Sequence, residues 1–462
     1  MAGIVGEATV QELREQVRGQ VLTPEDPGYD EARTLWNAMI DRRPALILRA
    51  AGTADVMVGV QFARAEGLEL AVRGGGHSLP GSSSTDGGIV LDLSAMKGIR
   101  VDPHARRATV QPGATWGDLD HETQAFGLAT TGGLVSTTGV AGLTLGGGIG
   151  WLMRRHGLAC DNLLAADVVT ADGRIVRASA DDHQDLLWGL RGGGGNLGIV
   201  TAFEFALYPV GPTILGGPVF FPGSDAAEIA RRYREYASDL PDEMTTALNF
   251  TTAPPLPFLP ADTHGTPVVV ALGCYAGPIE EGEKAAMGLR ELGSPIADLM
   301  GPMPYLGLQG FLDPLYAPGE RNYFKAGYLR ELTDDVIEQI VRFHGSKPGP
   351  SSEIHVQHLG GAVAREPEGG SAFSGRDGSF VLNVVARWHE PSDDVAQMTW
   401  AQDLYASVEP ATTGKAYVNF LSTGETRVRE AYGDDRYERL AALKKAWDPT
   451  NLFHLNQNIV PA

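Results

Sequence analysis

The sequence predicts an α+β protein of more than one domain, and three observations carry that reading. The chain has 462 residues, more than a single hydrophobic core ordinarily serves. Its first part alternates short apolar strands with helices and gathers much of its glycine into clusters. From about Tyr208 proline becomes frequent (Pro209, Pro212, Pro218, Pro222), and strand and helix patterns then alternate as for one antiparallel sheet with helices on a face.

Taken in order, Ala8 to Gln20 has Val10, Leu13 and Val17 on one face and charges elsewhere, which predicts an amphipathic helix. Pro24, Pro27 and Gly28 end it, and Glu31 to Met39 is predicted as a second short helix. Ala45 to Leu48 reads as a buried strand. Thr53-Ala54-Asp55 caps a helix to Glu66, and Leu68 to Val72 is the next strand.

That strand runs into Arg73-Gly74-Gly75-Gly76-His77-Ser78. Three glycines leave backbone N–H groups uncovered and allow positive φ, so the chain can wrap closely around an anion such as a pyrophosphate. Arg73 adds a fork of donors suited to phosphate. His77 stands at the mouth of the cradle with a nucleophilic ring nitrogen.

Strands are predicted at Gly88 to Leu93, Ile99 to Val101 and Arg107 to Gln111, then a helix from about Thr115. Gly127 to Gly150 is a second glycine-dense stretch, with Ser136, Thr137 and Thr138 among small residues. Leu134, Val140, Leu143, Leu145 and Ile149 want burial, so it is read as a ligand-facing segment and not a surface loop. Leu163 to Thr170 and Arg174 to Ala178 form a hairpin, Asp185 to Arg191 a short helix, and Ile199 to Leu207 an alternating strand. Gly193 to Gly198 fits G-x-G-x-x-G, but it follows a helix and opens a strand. A dinucleotide fingerprint needs the reverse, so a Rossmann NAD site is rejected and a ligand-near loop kept.

In the second part, strands are predicted at Leu215 to Phe221, Thr245 to Thr251, Pro267 to Tyr275, His355 to Leu359 and Phe380 to Trp388. Helices are predicted at Ala226 to Ala237, Glu281 to Leu292, Asp334 to Phe343 and Asp393 to Val408, with a loop over Arg365 to Asp377. Near the end, Tyr417 to Phe420 is predicted as a strand and Asp435 to Trp447 as a helix. Asn456 and Asn458 alternate along a last strand that turns two amides inward, and amides both donate and accept.

The net charge of −20 predicts a protein that meets neither nucleic acid nor anionic membranes. Two cysteines make no disulfide framework, and no Cys/His cluster has metal spacing. No stretch reaches the roughly 18 apolar residues of a membrane span, and the first residues carry charges where a signal peptide needs an apolar core. The expectation is a cytoplasmic protein without metal, a monomer or homodimer.

The glycine cradle, Gly146 to Gly150, Gly157-Leu158 with Asp161 to Leu163, Arg191 to Gly195, Tyr417 to Phe420, and Asn451 to Phe453 with Asn456 to Ile459 stand together end to end. In this combination the chain resembles the berberine-bridge-enzyme-like covalent flavoprotein oxidases, within the vanillyl-alcohol-oxidase superfamily with its PCMH-type FAD-binding domain. The resemblance implies an FAD-binding domain made from both chain ends, residues 1–207 and 411–462, and a central substrate domain, 208–410. It implies that FAD is held by Arg73, Gly74, Gly75, Gly76, His77, Ser78, Ser136, Thr137, Thr138, Gly139, Gly142, Gly148, Gly150, Asn162, Val200, Tyr417, Asn419, Asn456 and Asn458. A lone loop histidine is usually an ordinary hydrogen-bonding group; within this motif His77 is read as bonded to the flavin 8α-methyl. Some members carry a second link through a cysteine. Its place here is taken by Val135, and Cys160 does not match, so a single histidyl link is expected.

Much of the chain also resembles the flavin-dependent Favorskii oxygenase of enterocin biosynthesis, with Ala253 to Pro257 and Leu359 to Val363 as shared landmarks. That relative has a tyrosine at the place of Asn249 and a glutamate at the place of His355. The expected activity is an FAD-dependent oxidase: a small alcohol, phenol, amine or natural-product intermediate gives hydride to the flavin, and O₂ reoxidises it to give H₂O₂. Asn249, His355 and Tyr417 are the candidate catalytic residues. His355 and His358 are three apart and face opposite sides of a strand, so at most one meets the flavin, and His355 is chosen. Thr138, Val140 and Leu143 are placed near O₂. The alternatives are an oxygenase of secondary metabolism using an oxygenated flavin, and a non-catalytic flavin-carrying binding protein.

Overall fold

The computed structural model describes residues 6–462. Helix α1 (Glu7–Gln16) buries Val10 and Leu13. It stops short of Gln20, because Gln20 opens strand β1 (Gln20–Leu22), which pairs antiparallel with β2 (Leu46–Arg49). The helix expected over 31–39 is only α2 (Tyr29–Arg33). Beyond Thr34 the backbone is claimed from outside: Trp36 N–H donates to Gly76 O and Ala38 N–H to Glu320 O, while the Asn37 side chain donates to Leu79 O and Asn322 O. Tertiary hydrogen bonds there displace a local helix.

Helix α3 (Thr53–Glu66) ends on Gly67, at φ +63°. Strands β3 (Leu70–Arg73) and β4 (Ile89–Asp92) complete a sheet in the order β1-β2-β4-β3, parallel apart from β1. The parallel pairing makes β3 deliver the glycine cradle at its C-terminal end, where the backbone leaves the sheet.

A second, antiparallel sheet begins with β5 (Ile99–Asp102) and β6 (Arg107–Val110). Helix α4 (Trp116–Gln124) starts on a capping box in which Thr115 and Asp118 satisfy each other's backbone N–H. The second glycine stretch then forms β7 (Leu128–Ala129), loops, and two short helices, α5 (Val140–Leu145) and α6 (Met153–His156). Strands β8 (Leu163–Val169) and β9 (Ile175–Ser179), helix α7 (Gln184–Leu190) and strand β10 (Ile199–Ala206) follow, giving the order β5-β6-β10-β8-β9. Strand β11 (Tyr208–Pro209) pairs with β7.

The third sheet is built from β12 (Thr213–Pro222), β13 (Met244–Thr252), β14 (Pro267–Tyr275), β15 (Ala297–Asp298), β16 (Gly301–Pro304), β17 (Arg321–Leu329), β18 (Glu353–His358) and β19 (Phe380–Trp388). Its main order is β15-β12-β14-β13-β18-β19-β17, all antiparallel. Helices α8 (Ala226–Ala237), α9 (Ile279–Arg290), α11 (Asp334–His344) and α12 (Asp394–Val408) cover one face, and the short α10 (Tyr305–Gln309) lies against α4, Gln309 donating to Asp120 at 2.6 Å. Ile229, Tyr233, Ile337, Ile340, Trp400 and Leu404 pack there on Leu248, Ile354, Val356 and Leu382. Strand β17 was not anticipated: Arg321, Asn322 and Lys325 break the apolar pattern of its first half.

After α12 the chain returns. Helices α13 (Val428–Tyr432) and α14 (Asp434–Trp447) share a core with the second sheet, joining Val418, Tyr432, Leu440, Leu443 and Ile459 to Trp116, Leu163, Leu190 and Phe203. The Lys444 ammonium is fully buried there and donates to Asn196 O, Phe453 O and Asp448 Oδ2 at 2.8–2.9 Å. Two expected strands in this segment are absent. Val418–Phe420 is a single 3₁₀ turn, and residues 455–457 form a bend with no strand after it. Their polar groups are spent on loops instead of a ladder. Among the described residues no helix is long and apolar enough to cross a membrane, and no cluster of His, Cys, Asp and Glu suits a metal ion.

Candidate active site

A cavity of about 380 Å³ lies where the three parts meet. Glycine loops form one wall, the uncovered face of the third sheet the other, and the returning C-terminal segment closes the side.

The glycine wall is made by two loops in backbone contact. A Cβ on Gly75 would stand 2.6 Å from Gly139 N and Cα, so only glycine lets the 74–78 loop meet the 138–142 loop. The N–H groups of residues 74 to 78 find no backbone carbonyl acceptor among the described residues. They line the cavity with Thr138, Gly139, Gly142, Gly194, Gly195 and Val200. The 193–198 loop does open strand β10, and no helix, and so stays a cavity loop and not a dinucleotide turn.

His77 stacks on Trp36 at 5.0 Å and 15°, and its Nε2 lies 3.4 Å from Thr137 Oγ1. Burial pushes its pKa down to about 4 against the opposing pull of Asp313, so the ring is neutral near pH 7 with one nitrogen lone pair free. Val135 lines the cavity, whereas Cys160 is buried away from it, its thiol pushed far up by burial.

On the opposite wall the register sets Asn249, His355 and Asn383 side by side on β13, β18 and β19. Alternation along β18 turns Glu353, His355 and Gln357 one way and Ile354, Val356 and His358 the other. His358 is thus held behind the sheet, between Arg154 and Phe380. Glu353 is 2% exposed. Its carboxylate accepts from Tyr316 Oη (2.5 Å), Asn249 Nδ2 (2.7 Å) and Arg387 Nη2 (3.4 Å), and stands 3.2 Å from His355 Nε2. Burial opposes its charge, but His355, Arg387 and Tyr316 outweigh that and hold the carboxyl far below the usual range. A carboxylate only accepts, so His355 presents an N–H to it at Nε2 and turns Nδ1 the other way.

Not every residue expected at the cofactor lines the cavity. Gly74, Gly75, Gly76, His77, Ser78, Thr138, Gly139, Gly142, Val200, Tyr417, Asn419 and Asn456 do. Arg73 is behind the cradle, donating to Ala32 O, with Nε and Nη2 unpartnered. Ser136 is tied to Asp313 through its backbone N–H and hydroxyl. Asn162 braces a turn through His156 O and Leu158 O. Gly148 and Gly150 are glycines for packing: a Cβ would strike Ala159 Cβ at 2.3 Å and Gly132 O at 1.7 Å. Asn458 leaves the cavity wall once the expected strand is lost, and Val140 faces the second-sheet core. The Tyr417 ring lines the cavity, but its hydroxyl accepts from Gly148 N (2.9 Å), Ile149 N (3.2 Å) and Asn419 Nδ2 (2.9 Å). That geometry clamps the glycine loop.

Sequence reasoning missed Trp36, Tyr316, Glu353, Gln357 and Asn383. Glu353 and Gln357 were within reach, two residues either side of His355 on an alternating strand. Asn383 is the single amide in the apolar run Phe380–Val385. Trp36 and Tyr316 lie in segments without periodicity, joined by Trp36 Nε1 donating to Tyr316 O at 2.8 Å.

The residues present fit FAD. Five consecutive open N–H groups suit its diphosphate, and the buried Asn456 Oδ1 has no partner in the protein. The polar sheet wall stands across the cavity from His77.

Comparison with known proteins agrees. The family described as FAD binding domain matches residues 44–179, and the one described as berberine and berberine like matches residues 416–460. The chain is 33% identical over 458 residues to an FAD-linked oxidoreductase of Dictyostelium discoideum, covering 98% of this chain and 97% of that one. It is 32% identical over 460 residues to (R)-6-hydroxynicotine oxidase of Paenarthrobacter nicotinovorans, with 96% and 97% covered. The crystal structure of 6-hydroxy-D-nicotine oxidase from Arthrobacter nicotinovorans superposes with a TM-score of 0.87 at 28% identity, covering 96% of this chain and 98% of that one.

Proposed function

The chain belongs to the berberine-bridge-enzyme-like FAD-linked oxidoreductases, and on that premise we propose that it is an oxidase of a small organic substrate with its cofactor bonded to His77. One observation carries the reading: a single cavity sets the open N–H groups and neutral His77 opposite the Asn249–His355–Asn383 row. Bound there, FAD would supply a two-electron acceptor for substrate hydride, with O₂ as the final acceptor and H₂O₂ as its product.

The chain's residues divide the remaining work. Residues 74–78, Thr138, Gly139, Gly142, Gly194, Gly195 and Asn456 would hold the cofactor, and His77 would be joined to its 8α-methyl carbon. Residues 6–207 and 411–462 would form the FAD-binding part and 208–410 the substrate part, which the shared core of the C-terminal helices and the second sheet supports. His355 would take the substrate's proton on Nδ1, with Glu353 orienting the ring through Nε2. Tyr417 would keep the Gly148 loop in place.

The test is anaerobic. Substrate should bleach the flavin of the parent protein, and His355→Ala with full flavin content should bleach about 10²–10⁴-fold more slowly. Unchanged bleaching by the variant removes His355 from the reaction. H₂O₂ formed in step with O₂ consumed marks an oxidase; ¹⁸O₂ label in the product would make it an oxygenase.

A further inference from the structure

We propose that the substrate of this cavity is an uncharged molecule, a largely apolar or aromatic frame carrying a hydroxyl, and is neither an ammonium nor a carboxylate. The inference rests on the flavin reading above and narrows it.

The chain has 37 Lys and Arg and 57 Asp and Glu, yet none of them lines the cavity. Glu353, on the same face of β18 as His355 but outside the cavity lining, is already matched by Arg387, Tyr316, Asn249 and His355. A charged substrate would lose its water and gain no counter-charge, an arrangement that disfavours binding by several kcal/mol. The backbone offers no substitute on this wall. Strands β13, β18 and β19 use their N–H and C=O groups in the ladder, and the open N–H groups belong to the opposite, cofactor-facing wall.

What the sheet wall does offer is neutral amides. Asn249, Gln357 and Asn383 are each at least nine-tenths buried and line the cavity, and each leaves its amide oxygen without a partner. The Asn249 orientation is forced, because its nitrogen must face the Glu353 carboxylate. A hydroxyl both donates and accepts and so matches either end of an amide, which a carboxylate or an ammonium does not. Around them Trp151, Leu272, Leu312, Phe324 and Phe420 supply apolar surface for the rest of the molecule.

The test uses three probes of one shape on the holoenzyme at pH 7: 4-methoxybenzyl alcohol, 4-methoxybenzylamine and 4-methoxybenzoate, each titrated while the flavin spectrum is read. The alcohol should bind at least tenfold more tightly than the other two. The amine's affinity should rise about tenfold per pH unit above 7, since only its free base enters. Asn383→Asp should strengthen amine binding at least tenfold; Gln357→Glu serves the same purpose if that variant does not fold. Equal or tighter binding of the amine or the carboxylate to the parent, or no binding of any probe, overturns the proposal. A purified protein without flavin absorbance sinks the flavin reading instead, so the two failures are distinct.

Discussion

The side-chain nitrogen of Asn249 donates to Glu353 Oε2 at 2.7 Å across the β13–β18 pair. The bond ties a residue on the cavity wall to a buried carboxylate that also orients His355 and faces Arg387. Glu353→Gln therefore removes one half of a buried ion pair. A loss of about 3–5 kcal/mol in urea unfolding is expected. In the folded fraction the rate of flavin reduction should fall more than substrate affinity, because the His355 tautomer is no longer imposed. An unchanged rate would detach Glu353 from the chemistry.

Gly75→Ala and Gly142→Ala separate two uses of glycine. The first puts a Cβ 2.6 Å from Gly139 backbone, so the two loops must part, at a cost of about 1–3 kcal/mol. The second meets nothing within 4 Å and sits in helix α5, where alanine gains about 0.5–1 kcal/mol. Gly142→Ala should be at least as stable as the parent before FAD is added, yet hold less FAD, because its methyl group enters the cavity. Thermal melts with and without FAD give both readings.

Tyr417→Phe keeps the ring and removes the hydroxyl that receives Gly148 N, Ile149 N and Asn419 Nδ2. Buried donors left unpaired cost about 1–3 kcal/mol. The variant should bind FAD more weakly and keep its proton-transfer pH profile. A shift of that profile would make Tyr417 a base in the reaction.

Burial depresses His77 and His344 to about 4 and His358 to about 3. The unfolded chain then binds more protons than the native one between those values and the ordinary 6.5. Their contribution is complete above pH 6.5 and lost as pH falls toward 4, at about 1.4 kcal/mol per pH unit for each group. The urea midpoint of the flavin-free protein should drop between pH 7 and pH 5; a midpoint that stays level would contradict it.

The legible features were those with a local cause. Three glycines after a strand, the alternation of β18, and the capped start of α4 at Thr115 each follow from adjacent residues, whereas the cap expected of Thr53 on α3 is absent, Gly52 standing at that helix's start. Features set by distant partners were not legible. Residues 34–38 and Tyr316 have no period to read, and they are placed by hydrogen bonds to each other's segments. Asn456 and Asn458 alternate like a strand, but Asn456 donates to Gly195 O and Phe453 O, and the chain bends to reach them. Arg73 shows the converse: its type suits phosphate, and only the fold reveals that its guanidinium lies beneath the cradle.

The burial of Lys444 against Asn196 and of Leu440 and Ile459 in the second-sheet core has a consequence for biosynthesis. These residues are translated long after the glycine cradle. Until they arrive, the nascent chain shows an unfinished apolar surface on the strands around Leu163 and Phe203, and the cavity has only two of its sides. A stop codon after residue 415 should therefore leave a polypeptide that carries His77 with no closed cavity around it.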